Sequence, residues 1–205
     1  MKTTHLCFLL LGLCVTSFGF ANDKAPAEDR ETLAKRAKAQ RLAYAASPEY
    51  NPYDTSGREA LQSAYALLDK KKYGEAIATA QKGLAKAKYD IELLIVLTAA
   101  YRESGNISDA DKTSKEWVAL VDSILLETTG HDFASAYQVI SVAEEYAVIH
   151  VLRFKVVSQS LVGHEGSEFD LITVKNPSTN SDTVFYFNID LPKKWLTREF
   201  SGLKH

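Results

Sequence analysis

The chain is short of the residues that most chemistries need. Its only two cysteines, Cys7 and Cys14, both fall within the first 21 of 205 positions. No stripe of lysine and arginine is interleaved with aromatics, so the electrostatic footprint of a nucleic-acid partner is missing. Beyond the first 21 residues no hydrophobic run is long enough to cross a bilayer as a helix. There is no Gly-x-Ser-x-Gly elbow, no His-Glu-x-x-His and no phosphate-cradling glycine loop. No cofactor and no metal are therefore expected. The formal net charge is −2.

The N-terminus has the three parts of an export signal. Lys2 is basic, Leu6 to Val15 is apolar, and Gly19 and Ala21 place small residues before a break at Asn22. Leu13 stands where a lipoprotein needs a small residue before its cysteine, which disfavours lipid anchoring. Cleavage after Ala21 removes both thiols, and loss of Lys2 takes the net charge from −2 to −3. A disulfide-free exported chain of this length builds a core without cross-links. The expected compartment is the periplasm, with the extracellular space as the alternative.

What is present is an echo at a 34-residue displacement. Leu67, Tyr73 and Ala76 recur as Tyr101, Ile107 and Ala110, and Leu61, Ala64 and Leu84 as Ile95, Thr98 and Val118. That period is the one of tetratricopeptide helix pairs, which stack apolar faces and build binding surfaces. The likeness has departures: Lys71 stands where Gly105 is the turn residue of the second unit, and neither unit has the closing proline. Four helices are read. The first starts near Ser56, with Glu59 at capping-box spacing. The second runs from Tyr73 to Lys86 and the third from Ile91 to Ser104. The fourth follows Gly105 and a capping Asn106 and ends before Gly130. Upstream, residues 23–46 read as a solvated helix with a thin stripe of Leu33, Ala37 and Leu42. Pro48 and Pro52 then break helix in a linker that carries Tyr50 and Tyr53, with Tyr44 just before it.

After Gly130 the chain turns rich in Val, Ile, Tyr, Phe and Thr. About five strands are read: Ala136–Val142, Glu145–Phe154, Lys155–Leu161, Phe169–Lys175 and Thr183–Asp190. Short connections favour antiparallel neighbours, and the tail from Leu191 is expected to pack back on the sheet. The fold class is therefore α+β, with N-terminal tetratricopeptide-like helical hairpins packed on a C-terminal antiparallel sheet. The boundaries are a signal peptide at 1–21, a helix and Pro/Tyr linker at 22–55, four helices at 56–129 and the sheet region at 130–205.

Several short motifs keep an order and spacing that carry a wider likeness. They are Tyr50-Asn51-Pro52-Tyr53, Ala136-Tyr137-Gln138-Val139-Ile140-Ser141, Glu144-Glu145-Tyr146, Gln159-Ser160-Leu161, Asp170 with Val174, and Tyr186-Phe187-Asn188-Ile189. On these the chain resembles the bacterial domain of unknown function 4919 family of exported proteins. The resemblance runs from about residue 44 to 190 and implies a helical front half and a stranded back half. It brings no activity, cofactor or catalytic residue with it.

Candidate site residues are few. His131 follows a glycine at the helix-to-sheet junction, and His150 and His164 have no ligand spacing, so surface or capping roles suit them. Glu144 and Glu145, read on a strand, would face opposite sides of it. One of them with Asp170 or His131 would make an acid–base couple. The plainer account has Glu144 cap a hairpin turn while Glu145 faces solvent or pairs with Lys155. Tyr137, Tyr146, Phe185, Tyr186 and Phe187 would give the sheet an aromatic side, with Tyr137 and Tyr146 across the first hairpin. Tyr53, Tyr146 and Tyr186 are candidates for a protein contact. The expected function is an exported, non-enzymatic binding protein with a protein partner. A periplasmic immunity protein that blocks a toxin is a special case. A structural envelope protein ranks second and a hydrolase built on Glu144 or Glu145 with Asp170 or His131 ranks last.

Overall fold

The computed structural model describes residues 28–202. The expected leader, residues 1–21 with both cysteines, lies outside the described residues, as does terminal His205. The described chain is α+β, with five helices ahead of the strands. α1 (Arg30–Ala45) begins where the Asp29 carboxylate accepts a hydrogen bond from the Thr32 N–H. It was expected to be solvated. Instead it lies along α5 (Ile107–Leu125) and buries Ala34, Ala37 and Arg41. The spacing 34, 37, 41 puts all three on one face.

α2 (Ser56–Asp69), α3 (Tyr73–Leu84), α4 (Ile91–Glu103) and α5 form two consecutive hairpins whose neighbours pack in series. Small residues let the first hairpin close on the second. Ala76, Ala80 and Ala110 are fully buried. A Cβ on Gly83 would come within 2.5 Å of the Ala60 Cβ and 3.0 Å of a Leu93 methyl. α4 is the central helix and is apolar nearly all round. Its Ile91 and Leu94 face the large core shared with the sheet, while Leu93, Val96 and Leu97 face the smaller core under α2 and α3. Caps mark the ends. Asp90 accepts from the Leu93 N–H at 3.0 Å and Asn106 from the Asp109 N–H at 3.3 Å. Ser56 does not cap α2 as its spacing with Glu59 predicted. It is already helical, and Asp54 accepts its N–H at 2.8 Å.

The back half has four strands in the order β1-β4-β3-β2: β1 (Tyr137–Gln138), β2 (Lys155–His164), β3 (Ser167–Lys175) and β4 (Asp182–Asn188). β2, β3 and β4 are antiparallel neighbours, whereas β1 runs parallel to β4, so the sheet is mixed. Asp170, Ile172, Val174, Phe185 and Phe187 share the face that meets the helices.

Of the five expected strands, one is cut short and one is absent among the described residues. Ala136–Val142 contributes only the two residues of β1. Glu145–Phe154 falls in a helix, α6 (Val142–Val151), set between the sheet and α4. α6 buries Ala147, Val148 and Ile149 in succession, so no amphipathic period betrays it. Its end is hidden too. Arg153 takes φ 63° in the place that glycine usually holds, and the Phe154 N–H bonds back to the Ile149 carbonyl. The tail returns to the sheet as α7 (Asp190–Gly202), packed on β3.

The two hairpin turns offer a matched test of backbone cost. Lys71 (φ 57°) and Gly105 (φ 83°) hold the same left-handed position in successive turns, and both are exposed. A left-handed lysine costs about 1–2 kcal/mol, part of which glycine returns through the entropy of the unfolded chain. Lys71→Gly should therefore stabilise by about 0.5–1 kcal/mol and Gly105→Ala destabilise by about 1 kcal/mol. The readout is the urea midpoint at constant m.

Candidate functional site

The site is built around the start of α6, where two adjacent carboxylates part company. On a helix, neighbours diverge by about 100°, so Glu144 turns toward α1 and Glu145 toward the sheet.

Glu144 meets Arg41. The guanidinium donates from Nε to Oε1 at 2.7 Å and from Nη2 to Oε2 at 2.5 Å, with the two side chains 1% and 3% exposed. The same Arg41 also donates to Ser123 Oγ on α5 and to the Gln138 carbonyl. Glu144 Oε2 accepts the Ile140 N–H at 2.8 Å. Four of the five guanidinium N–H groups and both carboxylate oxygens are thus used. The linker is pinned alongside, where the Tyr50 hydroxyl donates to the Ile140 carbonyl at 2.6 Å. Burial, with the Glu144 charge next, raises the Tyr50 phenol far above its ordinary value.

Glu145 is fully buried; among the described residues no N–H or hydroxyl from outside the acid pair reaches its carboxyl, whose hydrogen-bond partner is Asp170. Burial pushes its pKa up to about 9, and the Asp170 charge, the hydrogen bond shared with Asp170 and then the Glu144 charge add to the rise. Glu145 is therefore neutral at pH 7. Asp170, 8% exposed, is raised by burial as well. It accepts from Gln159 Nε2 at 2.8 Å, and Gln159 Oε1 accepts the Tyr146 hydroxyl at 2.6 Å. Burial first, then the charges of Asp170 and Glu145, raise both Tyr53 and Tyr146. Tyr53 packs against Trp195 of α7 with ring centres 5.7 Å apart.

Beside Tyr50, Tyr53, Glu144 and Tyr146 opens a cleft of about 500 Å³. Its walls are the Tyr50–Thr55 linker, the start of α2, the loop into α4 and the first turn of α6. Tyr44, Tyr50, Tyr53, Tyr89 and Tyr146 all line it.

Of the residues named from sequence, Tyr53, Glu144, Glu145, Tyr146 and Asp170 are brought together here, though not in the expected roles. Glu144 caps no hairpin. Glu145 neither faces solvent nor pairs with Lys155, and Tyr146 stands across no hairpin from Tyr137. All three expectations fell with the strand that became α6. The other two lie elsewhere: the ring of His131 rests against Phe185, and Tyr186 is on the opposite sheet face against Phe133. The expected aromatic side is likewise split between the two faces. Arg41, Gln159 and Trp195 were missed. Arg41 had a signal, its phase with Ala34 and Ala37; Gln159 stood in a family motif with no role attached, and Trp195 had no site signal. Among the described residues, no three His, Cys, Asp or Glu side chains gather as a metal cluster would, and no helix is long and apolar enough to cross a membrane.

Two outcomes are expected. Arg41→Met leaves Glu144 buried and unpaired and should cost about 3–5 kcal/mol; adding Glu144→Gln, which keeps an acceptor for Ile140, should return part of it. Glu145 ionises near 4.5 when unfolded and near 9 when folded. Between those values the native state holds a proton that the unfolded state has lost. Stability should therefore fall as pH rises, by up to about 1.4 kcal/mol per pH unit, and level off above about 9. Glu145→Gln should flatten that limb in urea titrations run across the range.

No curated protein and no solved structure matches the chain. One family does, described as Domain of unknown function (DUF4919), over residues 29–198, from the cap of α1 into α7. The linker, both carboxyl pairs and every wall of the cleft fall inside that span, and the chain belongs to the DUF4919 family.

Proposed function

We propose that the chain is an exported, non-catalytic binding protein and that a partner protein docks in the tyrosine-lined cleft. The observation that carries this reading is the cleft itself, about 500 Å³ with five tyrosines on walls held by buried bonds. Tyrosine supplies large amphipathic contact area at small entropic cost, which is why protein contact surfaces favour it. The stacked hairpins, tetratricopeptide-like in period, give one wall its rigidity.

The carboxyls do not favour hydrolysis. The Glu144 carboxylate is saturated by Arg41 and Ile140, while Glu145 is sealed from solvent and Asp170 nearly so. Neither pair offers a group that is both free and in reach of a substrate bond. His131 stands with Phe185 and bonds to neither glutamate.

A photo-reactive amino acid placed at Arg58 or Tyr53, on the cleft, should trap one reproducible protein in the cell of origin. The same label at exposed Asp69 should not trap it. The trapped chain should begin at Asn22 and come from the periplasmic fraction. No adduct from the cleft positions, or the same adduct from Asp69, refutes docking there. A trapped toxin would make this an immunity protein, and a wall or membrane component an envelope role.

A further inference from the structure

The sheet ends on a long open edge. In the order β1-β4-β3-β2, β2 is bonded on its β3 side, and among the described residues no segment pairs with its outer side. It runs ten residues, nearly all exposed. Such an edge is normally blunted by charge, proline or shortness. Here Val156 to Gly163 carry neither charge nor proline, and only a bulge at Val157 interrupts the register. Leu161 is 57% exposed, although it stands opposite buried Asp170 on the sheet face that meets the helices.

The hairpin decides which backbone groups point outward. The β2–β3 loop is Glu165 (φ 50°) and Gly166 (φ 83°), so its closing pair, His164 and Ser167, exchanges both backbone bonds. In alternation from there, Val162, Ser160 and Ser158 bond inward to β3. Gly163, Leu161 and Gln159 turn N–H and C=O outward. The edge is self-complementary about Ser160. Laid antiparallel on a second β2, Gln159 of each copy exchanges both bonds with Leu161 of the other, and Ser160 stands opposite Ser160. The bulge at Val157 ends this outer ladder, so pairing spans Ser158 to Val162 of both copies. Directly paired residues share a face. Each exposed Leu161 therefore comes beside the other copy's Gln159 and the Tyr146 ring bonded to it, which is itself 42% exposed. No like charges meet in the paired stretch. Beyond it, Lys155 of each strand runs toward the exposed Glu165 of the other, and Lys155 forms no ion pair among the described residues.

We propose that β2 is a dimerisation edge, on which two copies of this chain join antiparallel about a twofold axis at Ser160. Their sheets become one continuous sheet. An isologous contact of this kind closes on itself and removes the open edge from both copies at once. The pairing does not rest on the docking reading.

The test uses the full chain, made with its own leader and carrying Cys7→Ala and Cys14→Ala, so that introduced thiols are the reactive ones. Ser160→Cys should give a disulfide-linked dimer under mild oxidation. Opposed residues of a non-hydrogen-bonded antiparallel pair stand about 4.5 Å apart at Cα, within disulfide reach. Ser158→Cys and Val162→Cys should each stay unlinked alone and link when mixed. Sedimentation of the cysteine-free chain should show a dimer. Leu161→Lys, a change at an exposed position, should weaken association about tenfold or more. A monomer up to about 100 μM, equal linking of all three cysteine variants alone, or a dimer indifferent to Leu161→Lys overturns the pairing. A photo-reactive residue at Ser160 that traps a different protein in place of a second copy also overturns it, and gives the edge to an extended segment of a partner.

Discussion

The Arg41–Glu144 pair holds the two halves of this chain in register. It is the one place where α1, α5, the segment after β1 and α6 all bond to the same two side chains. Burying both charges costs several kcal/mol apiece, and a bare ion pair repays that only when geometry and extra hydrogen bonds are complete. Here they are complete: two parallel N–H···O contacts, a serine hydroxyl, a backbone carbonyl and a backbone N–H. The pair's value is therefore more in placement than in net stability. A hydrophobic substitute would let α1 slide along α5, since alanines set no register. The guanidinium fork does, and with it the position of the linker that follows α1.

From that fixed point the cleft follows. Tyr50 reaches Ile140 only because α1 ends where Arg41 anchors it, and Pro48 and Pro52 keep the chain between from coiling into helix. The next residue of α6 then meets a different world. Glu144 meets a guanidinium, and one residue on Glu145 is held protonated by burial first and by the Asp170 carboxylate beside it. Two identical side chains, adjacent in sequence, thus meet opposite surroundings, one a guanidinium and the other a second acid.

What the sequence disclosed was what local rules govern. The four central helices, the Asn106 cap, the break at Gly130 and the strands at Lys155, Phe169 and Thr183 each rest on spacing or turn chemistry within a few residues. α6 was illegible because its environment is buried on several sides. Ala147, Val148, Ile149 and Val151 with Tyr146 look like a strand, and the glycine that would announce a helix end is replaced by Arg153 in the left-handed region. Tertiary packing overrode propensity there. The acid pair was half legible: Glu145 and Asp170 were named, but which neighbour each would meet depended on whether residues 142–151 coil. Trp195 and Gln159 reach the site from elements far away in the chain, and no local pattern announces such a meeting.

The cleft's charge follows from where its helices begin. α4 and α6 both open onto it with their N-termini, and each carries acids at its start: Asp90 and Glu92 on one, Glu144 and Glu145 on the other. An N-terminus holds roughly half a positive charge in unpaired N–H groups, enough to favour a carboxylate beside it. Asp90 spends its carboxylate in that way, on the Leu93 N–H. Helix ends thus help the chain gather more acids than bases at one opening, where Arg58 and Lys88 are the basic lining residues and Arg41 is bonded to Glu144. That compensation is partial and fixed, because backbone dipoles cannot move inward to Glu145 or Asp170.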